Sequence, residues 1–209
     1  MGKDKQSFKK SVKGLLLVVV FLDDHYLLLP MDSVIDKGIS KMTDEIKIRM
    51  ATLDDAIGMV DIYNFYIENG TATFEEDVLS VEVYKERLLE LIEGNLPIFA
   101  AIGTDSDLLG FAYASYYNPR SAYRFTVENS VYVDPKHKKR GIGKKLLAEL
   151  MLSCRNNGFK RMIAVIGDSK NVGSIELHKS LGFNQIGIAR QVGFKFETWL
   201  DVVYMQYDL

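Results

Sequence analysis

Several functions are excluded by what this chain lacks. It has a single cysteine, Cys154, among 209 residues, so an intramolecular disulfide and a cysteine-rich metal site are both ruled out. Cys154 falls within an apolar-periodic stretch, where a buried structural thiol is expected rather than a nucleophile. Three scattered histidines, His25, His137 and His178, show no metal-ligand spacing, and no metal is expected. The apolar run Gly14–Leu22 is too short to span a bilayer. Positive charge is not in excess: the formal net charge is −2, so bulk attraction to nucleic acid is not expected. There is no internal repeat, low-complexity tract or linker beyond the N-terminal segment.

What is present is an ordinary globular composition, 47% hydrophobic and 26% charged. The length fits one domain of roughly 160 residues behind an N-terminal extension, which we place at 44–209 and 1–43. The extension is basic from Lys3 to Lys13 and then apolar to Leu22. Asp23-Asp24 follows without a small-residue cleavage site, unlike a signal peptide. Gly2 invites N-myristoylation, but Gln6 stands where Ser or Thr is required. Met42 lies just before the first strand of the domain. The expectation is a dispensable extension or a start placed too far upstream, with Met42 the natural one. A peripheral membrane anchor is the alternative.

Along the domain, Ile46–Met50 alternates as a strand. Thr52 caps a helix running to about Glu68, with Asp54 and Asp55 in its first turn, and Asn69-Gly70 breaks it. Thr71–Phe74 is a short segment that can lie over a pocket. Ser80 starts a second helix with Val83, Leu88, Leu91 and Ile92 on one face. Pro97–Ile102 and Leu108–Tyr117 read as a hairpin, and Phe125–Val133 as the central strand. The spacing predicts a helix over Gly141–Asn157, a buried strand over Arg161–Ile166 and a helix over Asn171–Leu181. Strands follow at about Gln185–Gln191 and Phe194–Met205. The crossover from Phe125 to Ile166 implies one parallel pair, hence an α/β (α+β) fold with a mixed sheet.

The most informative stretch is Val131 to Gly143. A strand stops at Pro135, a basic loop follows, and Gly141-Ile142-Gly143 opens a helix whose apolar face is Ile142, Leu146, Leu147, Leu150 and Met151. Unpaired N–H groups and the dipole at a helix start make an anion site. Lys138, Lys139, Arg140 and Lys144 raise the local potential, and the glycines let backbone approach a phosphate. A strand-to-helix turn with a solvated basic loop is the plainer reading. The residues before Gly141 do not supply a P-loop, G-x-x-x-x-G-K-[ST]. A dinucleotide fingerprint is excluded because Leu146 stands where its third glycine belongs.

Lys138-Lys139-Arg140-Gly141-Ile142-Gly143 resembles the pyrophosphate loop of the GNAT superfamily of N-acetyltransferases, Q/R-x-x-G-x-G/A, with lysine at the first position. On either side the likeness narrows to the phosphinothricin/methionine sulfoximine N-acetyltransferase group. The segments that carry it are Thr126–Val133, Ala164–Asp168, Asn171-x-x-Ser174-x-x-Leu177-His178-x-x-x-Gly182-Phe183, and Val192–Val202. The resemblance covers roughly Ile46 to Leu209. It implies the GNAT fold, a mixed sheet with splayed central strands and helices on both faces, and acetyl-CoA as co-substrate.

Transfer of acetyl from a thioester to an amine needs a held thioester, donors for the developing oxyanion, a base for the ammonium and a stabilised leaving thiolate. Glu128 sits in an apolar strand, on the face of Thr126 and Ser130. Read alone it is a solvated edge residue, and the resemblance makes it the general base. Backbone donors of Val131, Tyr132 and Val133 either pair with a neighbouring strand or, where the sheet splays, serve oxyanion and pantetheine. Asn171 reads as an N-cap, to which the resemblance adds a pantetheine contact. Ser174 and His178 share its helix face. His178 is a donor to the thiolate, a cofactor contact or a satisfied structural residue.

Arg120, Tyr123 and Arg124 precede the catalytic strand, where guanidinium would suit a substrate carboxylate. Arg124 shares the face of Glu128 if the strand extends back that far. Phe74, Lys195 and Trp199 are pocket residues by the resemblance; read alone, Phe74 and Trp199 are core and Lys195 surface. The implied activity is direct acetylation, without an acyl-enzyme, of the α-amine of phosphinothricin, methionine sulfoximine or methionine sulfone by a cytoplasmic, commonly homodimeric enzyme. Alternatives are another amine (a polyamine, an aminoglycoside or a protein N-terminus) or a non-catalytic acyl-CoA sensor, which would not need Glu128.

Overall fold

The computed structural model describes residues 46–209 and, before them, the backbone of three short strands. The chain divides into two units, Met1–Glu45 and Ile46–Leu209. In the first, β1 (Lys10–Val12), β2 (Leu15–Leu22) and β3 (His25–Pro30) form an antiparallel sheet in that order, so the apolar run is a strand. Gly2, Gln6 and Met42 lie outside the described residues. No helix among the described residues is long and apolar enough to cross a membrane.

The second unit is a seven-stranded sheet. Its strands are β4 (Lys47–Met50), β5 (Ile98–Ile102), β6 (Leu108–Tyr116), β7 (Thr126–Val133), β8 (Arg161–Gly167), β9 (Asn184–Lys195) and β10 (Thr198–Asp208). Their order is β4-β5-β6-β7-β8-β10-β9, antiparallel throughout except for β7–β8. The helices are α1 (Ala56–Asn69), α2 (Val81–Glu93), α3 (Ile142–Asn156) and α4 (Val172–Lys179).

Strand alternation splits the core into two layers. Phe111 and Tyr132 pack with Met59 and Tyr63 of α1 and with Tyr84 and Leu88 of α2. Ala112, Ala114 and Val127 pack with Leu146, Leu147, Leu150 and Cys154 of α3. Helices therefore cover both faces of a sheet that is apolar on both sides.

The local signals act where expected. Thr52 N–H donates to the Asp55 carboxylate at 2.8 Å before α1, and Ser80 caps α2 by accepting from Val83 N–H at 3.3 Å. Two details differ. In α2 the buried face is Tyr84 and Leu88, whereas Val83 and Ile92 are exposed, because the aromatic ring claims the inward position. At the C-terminus the chain reverses at Phe196-Glu197, with φ of 51° and 54°, and not before Phe194. Two left-handed residues match the twist of a tight hairpin, but neither is the Gly, Asn or Asp that would announce it. The irregularity near Gln191 (φ 51°) is a bulge opposite Asp201, whose carboxylate accepts the Gln191 N–H at 3.0 Å.

The feature that positions the site is where pairing stops. β7 and β8 pair from Thr126↔Arg161 to Asn129↔Ala164 and no further. Beyond that point β7 stays with β6 as far as Gly110↔Val133, and β8 with β10 as far as Val202↔Gly167. The sheet forks. A Cβ at Gly110 would stand 2.7 Å from the Tyr132 carbonyl oxygen, so glycine lets β6 hold the departing β7 closely.

Candidate active site

A cavity of about 650 Å³ occupies the fork. One wall is β7 from Asn129 to Val133, which includes Val131 and Tyr132, and the other is β8 from Ala164 to Gly167. Its lining is drawn from both faces of the sheet: Tyr66 and Ala72 from the α1 side, and the starts of α3 and α4 from the other. The cleft thus passes through the sheet. Beyond Asn129 the β8-facing edge of β7 has no strand partner, leaving backbone groups there available to a ligand.

The basic loop reaches the cavity through two left-handed residues, Lys139 (φ 63°) and Gly141 (φ 76°), which turn the chain into α3. Lys138, Lys139, Gly141, Ile142, Gly143 and Lys144 all line it. A Cβ at Gly143 would lie 3.3 Å from Leu177, so a small residue lets α3 approach α4. Lys138 Nζ stands 5.2 Å over the Tyr66 ring, and the Tyr66 hydroxyl donates to the Val133 carbonyl at 2.7 Å. Arg140 sits off the wall and donates to His137 Nδ1 at 2.9 Å. Asn171 caps α4, accepting from Ser174 N–H at 3.2 Å, and both residues line the cavity.

His178 also lines the cavity but is 3% exposed. Its Nδ1 donates to the Ser174 carbonyl at 2.8 Å, and its Nε2 lies 2.9 Å from Asn129 Oδ1. Burial holds its pKa below the usual imidazole range, against the hydrogen bond to Ser174. Of the three expected readings, a structural residue at the cavity wall fits best: both nitrogens face protein oxygens, of which a neutral ring, with its one N–H, serves one at a time.

Glu128 emerges on the opposite face from Asn129, opposite Ser115 of β6 and Ile163 of β8. Among the described residues no hydrogen bond or ion pair reaches its carboxylate. Burial alone raises its pKa. A half-buried carboxylate without a partner is costly for stability and is the mark of a working group. The neighbouring Tyr113 phenol, pushed up to about 12 mainly by burial, stays protonated beside it.

The other expected substrate residues separate into two sets. Phe74 lies against Gly167 and Gly193, where any Cβ would meet its ring. Its segment is tied down by Lys195, whose Nζ donates to Gly70 and Thr73 carbonyls at 3.0 and 2.9 Å. Lys195 is 2% exposed, not a surface residue, and burial lowers its pKa. Trp199 is 59% exposed, not core, and meets Phe194 at 5.1 Å. Lys195 and Trp199 line a second cavity of about 250 Å³ with Thr71 and Asp201.

Arg120, Tyr123 and Arg124 lie in an outer loop. Ser121–Tyr123 forms a 3-10 turn and the strand begins only at Thr126, so Arg124 does not share the face of Glu128. Its guanidinium donates to the Ser121 carbonyl at 3.1 Å and covers the Phe125 ring at 4.5 Å. Neither arginine lines either cavity. Cys154 is buried, its thiol pushed up to about 12 by burial, and it stands outside the cavity. Among the described residues no group of three or more His, Cys, Asp or Glu could hold a metal ion.

A family model described as an acetyltransferase (GNAT) domain matches residues 48–204. The chain belongs to the GNAT acetyltransferase family. It is 41% identical over 162 residues to the phosphinothricin N-acetyltransferase of Alcaligenes faecalis, covering 78% of this chain and 82% of that one. It is 36% identical over 162 residues to the L-methionine sulfoximine/L-methionine sulfone acetyltransferase of Pseudomonas paraeruginosa, covering 78% and 94%. The structure of a phosphinothricin acetyltransferase from Sinorhizobium meliloti, in complex with AcCoA, matches with a TM-score of 0.76 and 38% identity, covering 78% of this chain and 88% of that one.

This chain is therefore an N-acetyltransferase. Several wall residues are not marked as site residues by the sequence, and two of them, Tyr66 and Asn129, make polar contacts there. Tyr66 was lost in the body of a helix, with nothing to mark it. Asn129 carried a usable signal: strand parity places it with Val127 and Val131 on the core face, where a carboxamide must find partners.

Proposed function

We propose that this acetyltransferase moves the acetyl group of acetyl-CoA to the α-amine of a small amino-acid-like molecule, with phosphinothricin, methionine sulfoximine and methionine sulfone as its substrate class. The observation that carries the reading is a cavity lined from both faces of the sheet, with cations and two helix starts on one side; Glu128, next in the strand to the wall residue Asn129 but not itself in the lining, has no hydrogen bond or ion pair among the described residues.

The residues fit acetyl-CoA. First-turn N–H groups of α3, with Lys138, Lys139 and Lys144, receive the pyrophosphate, and Arg140 adds charge from behind. Asn171 and Ser174 face the pantetheine arm, and the free edge of Val131, Tyr132 and Val133 offers donors to that arm and to the thioester carbonyl. Acetyl-CoA supplies the activated acyl group. Glu128 takes the proton from the ammonium, directly or through a water. Phe74, Lys195 and Trp199 frame the amine side, where Lys195 is the buried cation beside the loop; Tyr123, Arg120 and Arg124 form its outer rim.

The reading extends to a cytoplasmic, detoxifying homodimer. Val192, Phe194, Phe196 and Trp199 expose apolar surface on the terminal hairpin, with β9 at the sheet edge, and a second copy would cover it. Light scattering tests the dimer. The activity is tested by thiol release from acetyl-CoA across amino acids, sulfoximines and plain amines. Turnover of sulfoximines and phosphinothricin well above that of decarboxylated amines is expected; the reverse order would replace the substrate class.

A further inference from the structure

The fork has an apex, and Asn129 occupies it. Asn129↔Ala164 is the last pair between β7 and β8, and Asn129 is 6% exposed. Its Nδ2 donates across the apex to the Ile163 carbonyl at 3.1 Å. Its Oδ1 faces His178 Nε2 at 2.9 Å. His178 Nδ1 is anchored on Ser174 of α4 at 2.8 Å, and its ring stands edge-on to Phe183 at 5.0 Å. One chain of hydrogen bonds thus ties β8, β7 and α4 together where the strands part, and both side chains line the cavity.

The hydrogen count fixes the role of the ring. The Ser174 carbonyl can only accept, so Nδ1 carries a proton. The Ile163 carbonyl can only accept, so the Asn129 amide presents its oxygen to Nε2. Both ring nitrogens thus face protein oxygens: the imidazolium donates to both, whereas the neutral ring that burial favours has one proton for the two, and in neither form does an N–H point at a leaving thiolate.

Resting on the acetyl-CoA reading above, we propose that Asn129, propped by His178, is the positioning residue that stops the β7–β8 zipper and holds the fork open for the thioester end of the donor. One further pair of zippering would spend the free edge of Ser130 and Val131 on β8 and shorten the cleft from its closed end. Opening by a pair would move those donors away from the carbonyl. The nucleotide end is gripped elsewhere, by the Lys138–Lys144 loop.

The test separates the two ends. Asn129→Leu keeps the volume and removes both hydrogen bonds; His178→Phe keeps the ring against Phe183 and removes both nitrogens. Calorimetry is run with acetyl-CoA and with adenosine 3′,5′-diphosphate, alongside melting temperature and KM for the amine. Each variant should bind acetyl-CoA tenfold or more weakly, with the nucleotide fragment within twofold and the amine KM unchanged. The double variant should be no worse than either single one, because one bridge is broken in each. Equal weakening for both ligands, full acetyl-CoA affinity, or additive losses would overturn the proposal. If Asn129→Leu does not fold, His178→Phe decides on the same criteria. A wild-type protein that fails to bind acetyl-CoA at all would instead sink the functional reading itself.

Discussion

Replacing Glu128 by glutamine is the sharpest probe of the chemistry. The substitution keeps shape and strand pairing and removes the base. General-base catalysis contributes about 10²–10⁴ in rate, or roughly 3–5 kcal/mol of barrier, so kcat should fall by that factor while acetyl-CoA affinity is retained. The pH profile carries a second signature. Burial raises the Glu128 pKa, so kcat/KM should climb through a pKa above the ordinary glutamate range, and that limb should vanish in Glu128→Gln. Stability should move the other way. A carboxyl whose folded pKa lies above its unfolded value binds its proton more tightly when folded, so ionisation costs stability as pH rises through that window. Glutamine, a permanent mimic of the protonated form, removes that cost, so the variant should melt no lower than wild type at pH 7. The assays are steady-state thiol release from pH 5 to 9 and a thermal melt. Near-normal turnover at pH 7, or an unchanged acidic limb, would refute the assignment.

Three further outcomes are expected. Acetyl-CoA affinity, measured by calorimetry, should weaken as salt rises, because Lys138, Lys139 and Lys144 line the cavity proposed to hold it; salt-independent binding would contradict this. A chain starting at Met42 should fold and show full turnover, since the family match lies within the unit Ile46–Leu209; loss of either would give residues 1–41 a structural role. Replacing both Arg120 and Arg124 by alanine should change the amine KM by less than about threefold, the effect of a solvated surface pair. A tenfold rise would show that their loop folds over the substrate.

Order and type of every element from β4 to β10 were legible, because period-2 and period-3.6 patterns alternate and are punctuated by Ser80, Asn69-Gly70, Gly141 and Gly182. Glu128 was legible as a carboxylate in an apolar strand. What failed had a physical reason. Phe196-Glu197 adopts left-handed backbone with side chains that give no notice of it. Lys195 was misread because its partners, the carbonyls of Gly70 and Thr73, lie far away in sequence. Trp199 looked like core because size suggests burial, yet it lies on an uncovered hairpin. Arg124 shares the face of Glu128 only on a longer strand, and a 3-10 turn cuts that strand short. The Asn129–His178 bridge joins residues 49 apart in sequence, beyond the reach of any local pattern.

A sheet with a hole in it is a two-sided device. Most sheets separate their faces; this one forks at Asn129, and a single cavity takes its lining from both of them. The wall behind the cations is built from α3 and α4, and the opposite approach from α1 and the segment ending at Phe74. The two sides meet at Tyr66, whose ring lies under Lys138, and at Ala72, which lines the same cavity. Phe74, by contrast, lines neither cavity, so exchanging it can rebuild the opposite approach and leave the cationic wall in place. One scaffold is thus free to change what it acetylates while keeping unchanged what it acetylates with.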